Sequence, residues 1–166
     1  PDTIVVEESP SSREALLEML PATEPLGYLG AAMGNLGFAL PAAIGLRLAD
    51  PARPVLAVLG DGSAIYGIQA MWSAAHYGVG VLFIVLANAR YAVMDELASR
   101  QGKAPWPGFG EVRLARVADG FGCPAQRAGT LDSLADILDR VIPTLRTRSE
   151  PLLVEVDVSS DGEPGR

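Results

Sequence analysis

The chain has 166 residues, 49% of them hydrophobic, and a formal net charge of −7. That length holds one domain with a respectable core, and an acidic balance with a single lysine, Lys103, argues against a nucleic-acid or anionic-membrane surface. No apolar run reaches the about 18 to 20 residues of a membrane span, and the lone Cys123 leaves no disulfide framework and no cysteine-based metal site.

The expectation is a soluble, cytoplasmic protein. Its start at Pro1, without an initiator Met, reads as a piece of a longer polypeptide. Between Tyr28 and Asn88 only Arg47, Asp50, Arg53 and Asp61 are charged, so this stretch must be buried on most sides.

In chain order, Thr3 to Glu7 reads as a strand, and the polar turn Glu8 to Ser12 leads into a helix from Arg13 to Leu20, ended by Pro21. Gly27 to Gly30 is a short strand or a crossing loop. Gly34-Asn35-Leu36-Gly37 introduces an apolar helix, Phe38 to Leu48, stopped by Asp50-Pro51; Pro41 falls in its first turns, where a missing N–H does least harm. Val55 to Leu59 and Val81 to Leu86 are branched apolar runs, the pattern of parallel strands buried on both faces. A helix from Ile68 to Tyr77 lies between them.

Beyond Asn88, Ala98 to Gly110 reads as a long Gly/Pro/Trp-bearing loop of the kind that forms lids, and Glu111 to Asp119 as an amphipathic helix. Cys123 to Gln126 is a short strand. A helix from Ser133 to Leu145, capped by Thr130 or Asp132, precedes a last strand, Leu152 to Val158. The alternation predicts an α/β domain over 1–158, doubly wound, with a mostly parallel six-stranded sheet and helices on both faces. A tail, Ser159 to Arg166, reads as disordered.

Gly60-Asp61-Gly62-Ser63 follows one buried strand and Asn88 ends the next. Ligands of such sheets bind at the carboxyl ends of strands. There a carboxylate and a carboxamide present two hard oxygens to one divalent cation, and Mg²⁺ takes such ligands together with substrate phosphates. The backbone carbonyl of Arg90 offers a third oxygen; Ser63 and the N–H groups of Gly62 and Ser63 offer phosphate contacts. By itself Gly-Asp-Gly is more often a turn whose Asp caps the next helix. Asn88, an almost uncharged intervening helix and the Gly34 to Gly37 loop favour a site holding a Mg-bound diphosphate.

Gly60-Asp61-Gly62-Ser63 with Asn88, together with Gly34-Asn35-Leu36-Gly37-Phe38-Ala39-Leu40-Pro41-Ala42-Ala43-Ile44-Gly45, resembles the C-terminal thiamine diphosphate-binding domain of the benzoylformate decarboxylase and acetolactate synthase superfamily. The similarity runs from Val5 to Val158 and is closest to the benzoylformate decarboxylase branch. The resemblance implies thiamine diphosphate and Mg as cofactors, with Asp61, Asn88 and the Arg90 carbonyl as metal ligands. It implies that the Gly34 carbonyl accepts the aminopyrimidine amine and that Leu36 props the bend of the cofactor. Ser11, Gly60, Gly62, Ser63 and Tyr91 match positions near the diphosphate, and Val93, Met94 and Leu97 match the substrate pocket.

The chain departs from the family at Ala87, where a second Asn is usual, at Ala92, where Gly is usual, and at Leu97, where an aromatic residue is usual. The last departure weakens the case for benzoylformate itself. The implied whole is a thiamine diphosphate-dependent carboxy-lyase acting on a 2-oxo acid, a homodimer or homotetramer. In it this domain meets an N-terminal pyrimidine-binding domain across the helices Leu36 to Leu48 and Ile68 to Tyr77. The catalytic Glu and histidines belong to the other domains, so no catalytic residue is expected here.

His76, the only histidine, reads as a helix-end residue favoured by the dipole. Trp106 and Phe109 line a pocket, anchor their own loop or make a subunit contact, and Asp95-Glu96 reads as a solvated or capping pair. Three other functions stay open: an acetolactate synthase-like carboligase, a non-catalytic cofactor-binding module, and a phospho-acceptor receiver domain using Glu7-Glu8, for which the needed lysine is misplaced.

Overall fold

A computed structural model describes residues 2–159 of the chain. Six strands, β1 (Ile4–Glu8), β2 (Tyr28–Gly30), β3 (Val55–Gly60), β4 (Leu82–Ala87), β5 (Ala125–Ala128) and β6 (Leu152–Asp157), form one sheet in the order β2-β1-β3-β4-β6-β5. Every pairing is parallel. The helices are α1 (Arg13–Met19), α2 (Ala39–Ala49), α3 (Asp61–Gly67), α4 (Ala70–His76), α5 (Ala92–Arg100), α6 (Leu114–Gly120) and α7 (Leu131–Val141). This is the doubly wound α/β architecture that the alternating pattern predicts.

The chain steps from β1 outward to β2, then returns across β1 to β3. Right-handed crossovers put connections that run in opposite directions on opposite faces of the sheet. The β1/β3 junction is therefore a topological switch point, where a crevice opens beyond the strand ends.

Strand side chains alternate between the two faces. Val55, Ala57 and Leu59 of β3 with Phe83 and Val85 of β4 pack under α2, α3, α4 and α6, through Leu40, Ile44, Ala64, Met71, Ala74, Leu114 and Ala118. Leu56, Ile84 and Leu86 turn the other way, joining Leu152, Val154 and Val156 beneath Ile137 and Val141 of α7. Cover on both faces is why these strands are apolar throughout. The buried guanidinium of Arg47 donates to the carbonyls of Arg53 at 2.6 Å and Arg146 at 2.9 Å, tying the end of α2 to the segment before β6.

Several boundaries differ from the sequence reading. The helix expected over Ile68 to Tyr77 is α4, and a separate helix, α3, precedes it, starting directly at Asp61 and ending at Gly67. A Cβ on Gly67 would lie 3.3 Å from the Gly37 carbonyl oxygen, so the glycine admits the Gly34 to Gly37 loop. The long loop begins only after Arg100, since α5 continues through an Arg100–Glu96 pair at 2.5 Å.

Thr130 is the cap of α7: its hydroxyl accepts from the Ser133 amide at 3.2 Å. The helix ends at Val141 and Ile142–Thr144 is a 3-10 turn containing Pro143. Of the expected tail, residues 160–166 lie outside the described residues. No helix among the described residues is long and apolar enough to cross a membrane.

Candidate cofactor site

Asp61 is the first residue of α3, immediately beyond β3, and is only 6% exposed. Its Oδ1 accepts the Gly62 amide at 2.8 Å and its Oδ2 accepts the Ala89 amide at 2.6 Å, so the carboxylate joins the β3–α3 turn to the loop after β4. Burial pushes its pKa up, against the pull of the amides of Ala89, Gly62 and Asn88. No lysine or arginine pairs with it among the described residues. A buried carboxylate with only neutral donors is short of a cation, and each oxygen keeps a lone pair for one.

Asn88 follows β4 and closes an Asx turn, its Oδ1 accepting the Arg90 amide at 3.1 Å. One lone pair of that oxygen remains. The Gly62 N–H, expected to face phosphate, is instead engaged by Asp61.

The strand ends frame a cleft of about 400 Å³, which brings together Ser11, Gly34, Leu36, Gly60, Asp61, Gly62, Ser63, Asn88, Arg90, Tyr91, Val93 and Met94. Leu97 does not line it. That residue lies one turn further along α5 and is 44% exposed.

Tyr91 lies across Gly62, where an added Cβ would be 2.5 Å from its Cε1, and packs on Phe109 with ring centroids 5.0 Å apart. Phe109 thus anchors its own loop, and its amide donates to the Ala89 carbonyl at 3.0 Å.

Asp95 is not a solvated partner of Glu96. One of its oxygens accepts from Arg90 Nε at 2.7 Å and the other from the Trp106 amide at 2.8 Å, tying the loop after β4 to the 101–110 segment. Glu96 pairs with Arg100 at the surface. His76 is exposed and stacks on Trp72 at 4.7 Å, away from the cleft.

Two buried acids at the end of β1 were not read as part of the site. Glu7 Oε1 accepts the Ser9 amide at 2.5 Å and Oε2 accepts Arg13 Nε at 2.8 Å. Glu8 Oε1 accepts the Gly37 amide at 2.6 Å and Oε2 accepts the Ala39 amide at 2.5 Å. Glu7 is taken up by its own turn and Arg13, and Glu8 by amides about thirty residues away, which leaves the receiver-domain reading without its acidic pair. The signal in the sequence is a double Glu at the end of a strand too apolar to be exposed.

Comparison with known proteins agrees with this geometry. Residues 11–156 match the family model described as thiamine pyrophosphate enzyme, C-terminal TPP binding domain. The chain is 40% identical over 157 residues to benzoylformate decarboxylase of Pseudomonas aeruginosa, covering 93% of this chain and 29% of that protein. It is 34% identical over 135 residues to the large subunit of acetolactate synthase isozyme 1 of Escherichia coli, covering 75% of this chain and 24% of that protein.

Among solved structures, a thiamine diphosphate-dependent 4-hydroxybenzoylformate decarboxylase of Rhodococcus jostii RHA1 superposes with a TM-score of 0.86 at 33% identity, covering 98% of this chain and 30% of that one. The chain therefore spans under a third of the length of these relatives. With the sheet, the strand-end cleft and the family match all in register, the chain belongs to the thiamine pyrophosphate enzymes as a C-terminal TPP-binding domain.

Proposed function

We propose that this domain anchors the diphosphate of thiamine diphosphate through Mg²⁺ in an enzyme that decarboxylates a 2-oxo acid. The observation that carries this reading is Asp61, a buried carboxylate without a cationic partner among the described residues, sharing one cleft with Asn88 and Arg90. In this reading Asp61, Asn88 and the Arg90 carbonyl hold the metal, Ser11 and Ser63 face the diphosphate, and Tyr91 closes over Gly62. The Gly34 carbonyl and Leu36 serve the thiamine rings. Val93 and Met94 shape the side of the cleft where the oxo acid enters.

Thiamine diphosphate, when bound, supplies the electron sink for the pair released as CO₂ departs. The chain's own residues position it and shield it from water. Carboligation is a second outcome of the same chemistry, favoured by the likeness to acetolactate synthase. The catalytic Glu then lies on an N-terminal pyrimidine-binding domain and the histidines lie outside this domain, with docking across a homodimer or homotetramer interface for which the exposed Tyr66 of α3 and Trp72 of α4 are suited.

The test is CO₂ release from a panel of 2-oxo acids by the full-length protein with Mg²⁺ and thiamine diphosphate, beside Asp61→Ala. Turnover that needs the cofactor and vanishes in the variant supports decarboxylation and names the substrate. Cofactor binding that depends on Asp61 without CO₂ from any acid would replace decarboxylation with carboligation or a silent site, and no binding at all would overturn the metal assignment.

A further inference from the structure

We infer that Glu8 is a positioning residue that sets where the pyrimidine end of the cofactor sits relative to its diphosphate end; this rests on the cofactor reading above. Glu8 ends β1 beside Leu59 of β3, at the switch point of the sheet, and is 1% exposed. A carboxylate there is costly unless its oxygens are fully engaged. Both are, by the Gly37 and Ala39 amides 29 and 31 residues away.

The Ala39 amide is the first of the unpaired turn of α2 and the Gly37 amide lies just before its N-cap residue, Phe38, which provides no side-chain cap. Glu8 thus caps α2 from another strand, with a negative charge where the helix dipole favours one.

The consequence concerns the Gly34 to Gly37 loop. Gly37 has φ +89°, and a Cβ on it would lie 3.2 Å from Tyr66 Cβ, so the loop is held between Tyr66 on one side and Glu8 on the other. Gly34, at φ +68°, has nothing within 4 Å of its would-be Cβ, and with Leu36 it lines the cleft. The same strand end continues into Ser9, Ser11 and Ser12, which line the cleft too. One side chain therefore fixes the spacing between the segment assigned to the diphosphate and the segment assigned to the rings.

The test compares two probes on the full-length protein, Mg–thiamine diphosphate and Mg–inorganic pyrophosphate, by calorimetry. Pyrophosphate has no rings and does not use the Gly34 to Gly37 loop. In Glu8→Gln, where an amide NH₂ replaces one acceptor, thiamine diphosphate should bind about 10- to 100-fold more weakly, while pyrophosphate changes by less than about twofold.

Glu8→Asp keeps the charge with a shorter reach and should show a smaller selective loss. Equal weakening of both probes, or no change in either, overturns the inference. If Glu8→Gln does not fold, Glu8→Asp is read alone. Failure of both to fold also overturns it, since the residue would then hold the domain and not the loop. A wild-type protein that binds neither probe would instead overturn the cofactor reading.

Discussion

Asp61 and Ala89, from the ends of adjacent strands, are joined by a 2.6 Å hydrogen bond from the Ala89 amide to Asp61 Oδ2, and Ala89 makes it at φ +59°. That conformation costs a residue with a Cβ about 1–2 kcal/mol. Ala89→Gly should therefore stabilise the protein. Part of the gain is offset by the freer unfolded chain, about 0.4–1 kcal/mol, leaving about 0.5–1 kcal/mol and a rise of about 2 °C in melting temperature. Calorimetry of the cofactor-free protein checks this; an unchanged or lower melting temperature would show that the strain is relieved elsewhere.

Gly62→Ala should act in the opposite direction. Its Cβ would meet the Tyr91 ring at 2.5 Å and 2.8 Å and the Phe109 ring at 3.5 Å, and both rings are already packed on one another. Overpacking of this kind costs about 1–3 kcal/mol. Displacement of Tyr91 also disturbs the loop that carries Asn88 and Arg90. The expected result is a lower denaturation midpoint with weaker Mg-dependent cofactor binding; a variant with wild-type values for both would show that Tyr91 moves freely.

The core of this fold was legible because β3 and β4 are buried on both faces, which forces uninterrupted apolar runs and leaves Asp61 and Asn88 at their ends as the first polar residues. Glu8 was not legible in the same way. Its partners, Gly37 and Ala39, lie about thirty residues away, and only the crossing of β2 and the return to β3 brings them together. α5 was hidden by sequence that reads as a pocket segment running into a loop. Once it is a helix, Leu97 stands about one turn beyond Val93, so it leaves the cleft that Val93 and Met94 line.

Cys123 gives a pH dependence with a definite sign. It is fully buried, and burial, with a smaller contribution from Asp119, pushes its thiol from 9.0 up to about 12. A group whose folded pKa is raised contributes stability below its unfolded pKa and loses it as pH rises toward the folded value. Between pH 9 and about 12 the unfolded thiol ionises while the folded one stays protonated, so this contribution falls across that window. Cys123→Ala should start less stable than wild type, and the gap should narrow as pH rises above 9 in denaturant titrations. Native Cys123 should also resist alkylation at pH 8 and react once unfolded; rapid labelling of the folded protein would contradict its burial.

The outer surface of α4 and its neighbours makes the last prediction. Trp72 is 49% exposed and Tyr77 65%, their ring centroids 6.4 Å apart, and His76 stacks on Trp72 at 4.7 Å. Exposed apolar area concentrated on one face, built from rigid aromatic rings, marks a contact surface. The chain made alone should therefore self-associate, with a weight-average mass that rises with concentration in sedimentation. Trp72→Lys should shift it toward monomer. Because Trp72 is half exposed, the substitution should change the unfolding free energy by no more than about 0.5 kcal/mol, so dissociation without loss of fold is the expected pair of results. A wild-type chain that sediments as a single monomer at all concentrations would remove this surface as the docking face.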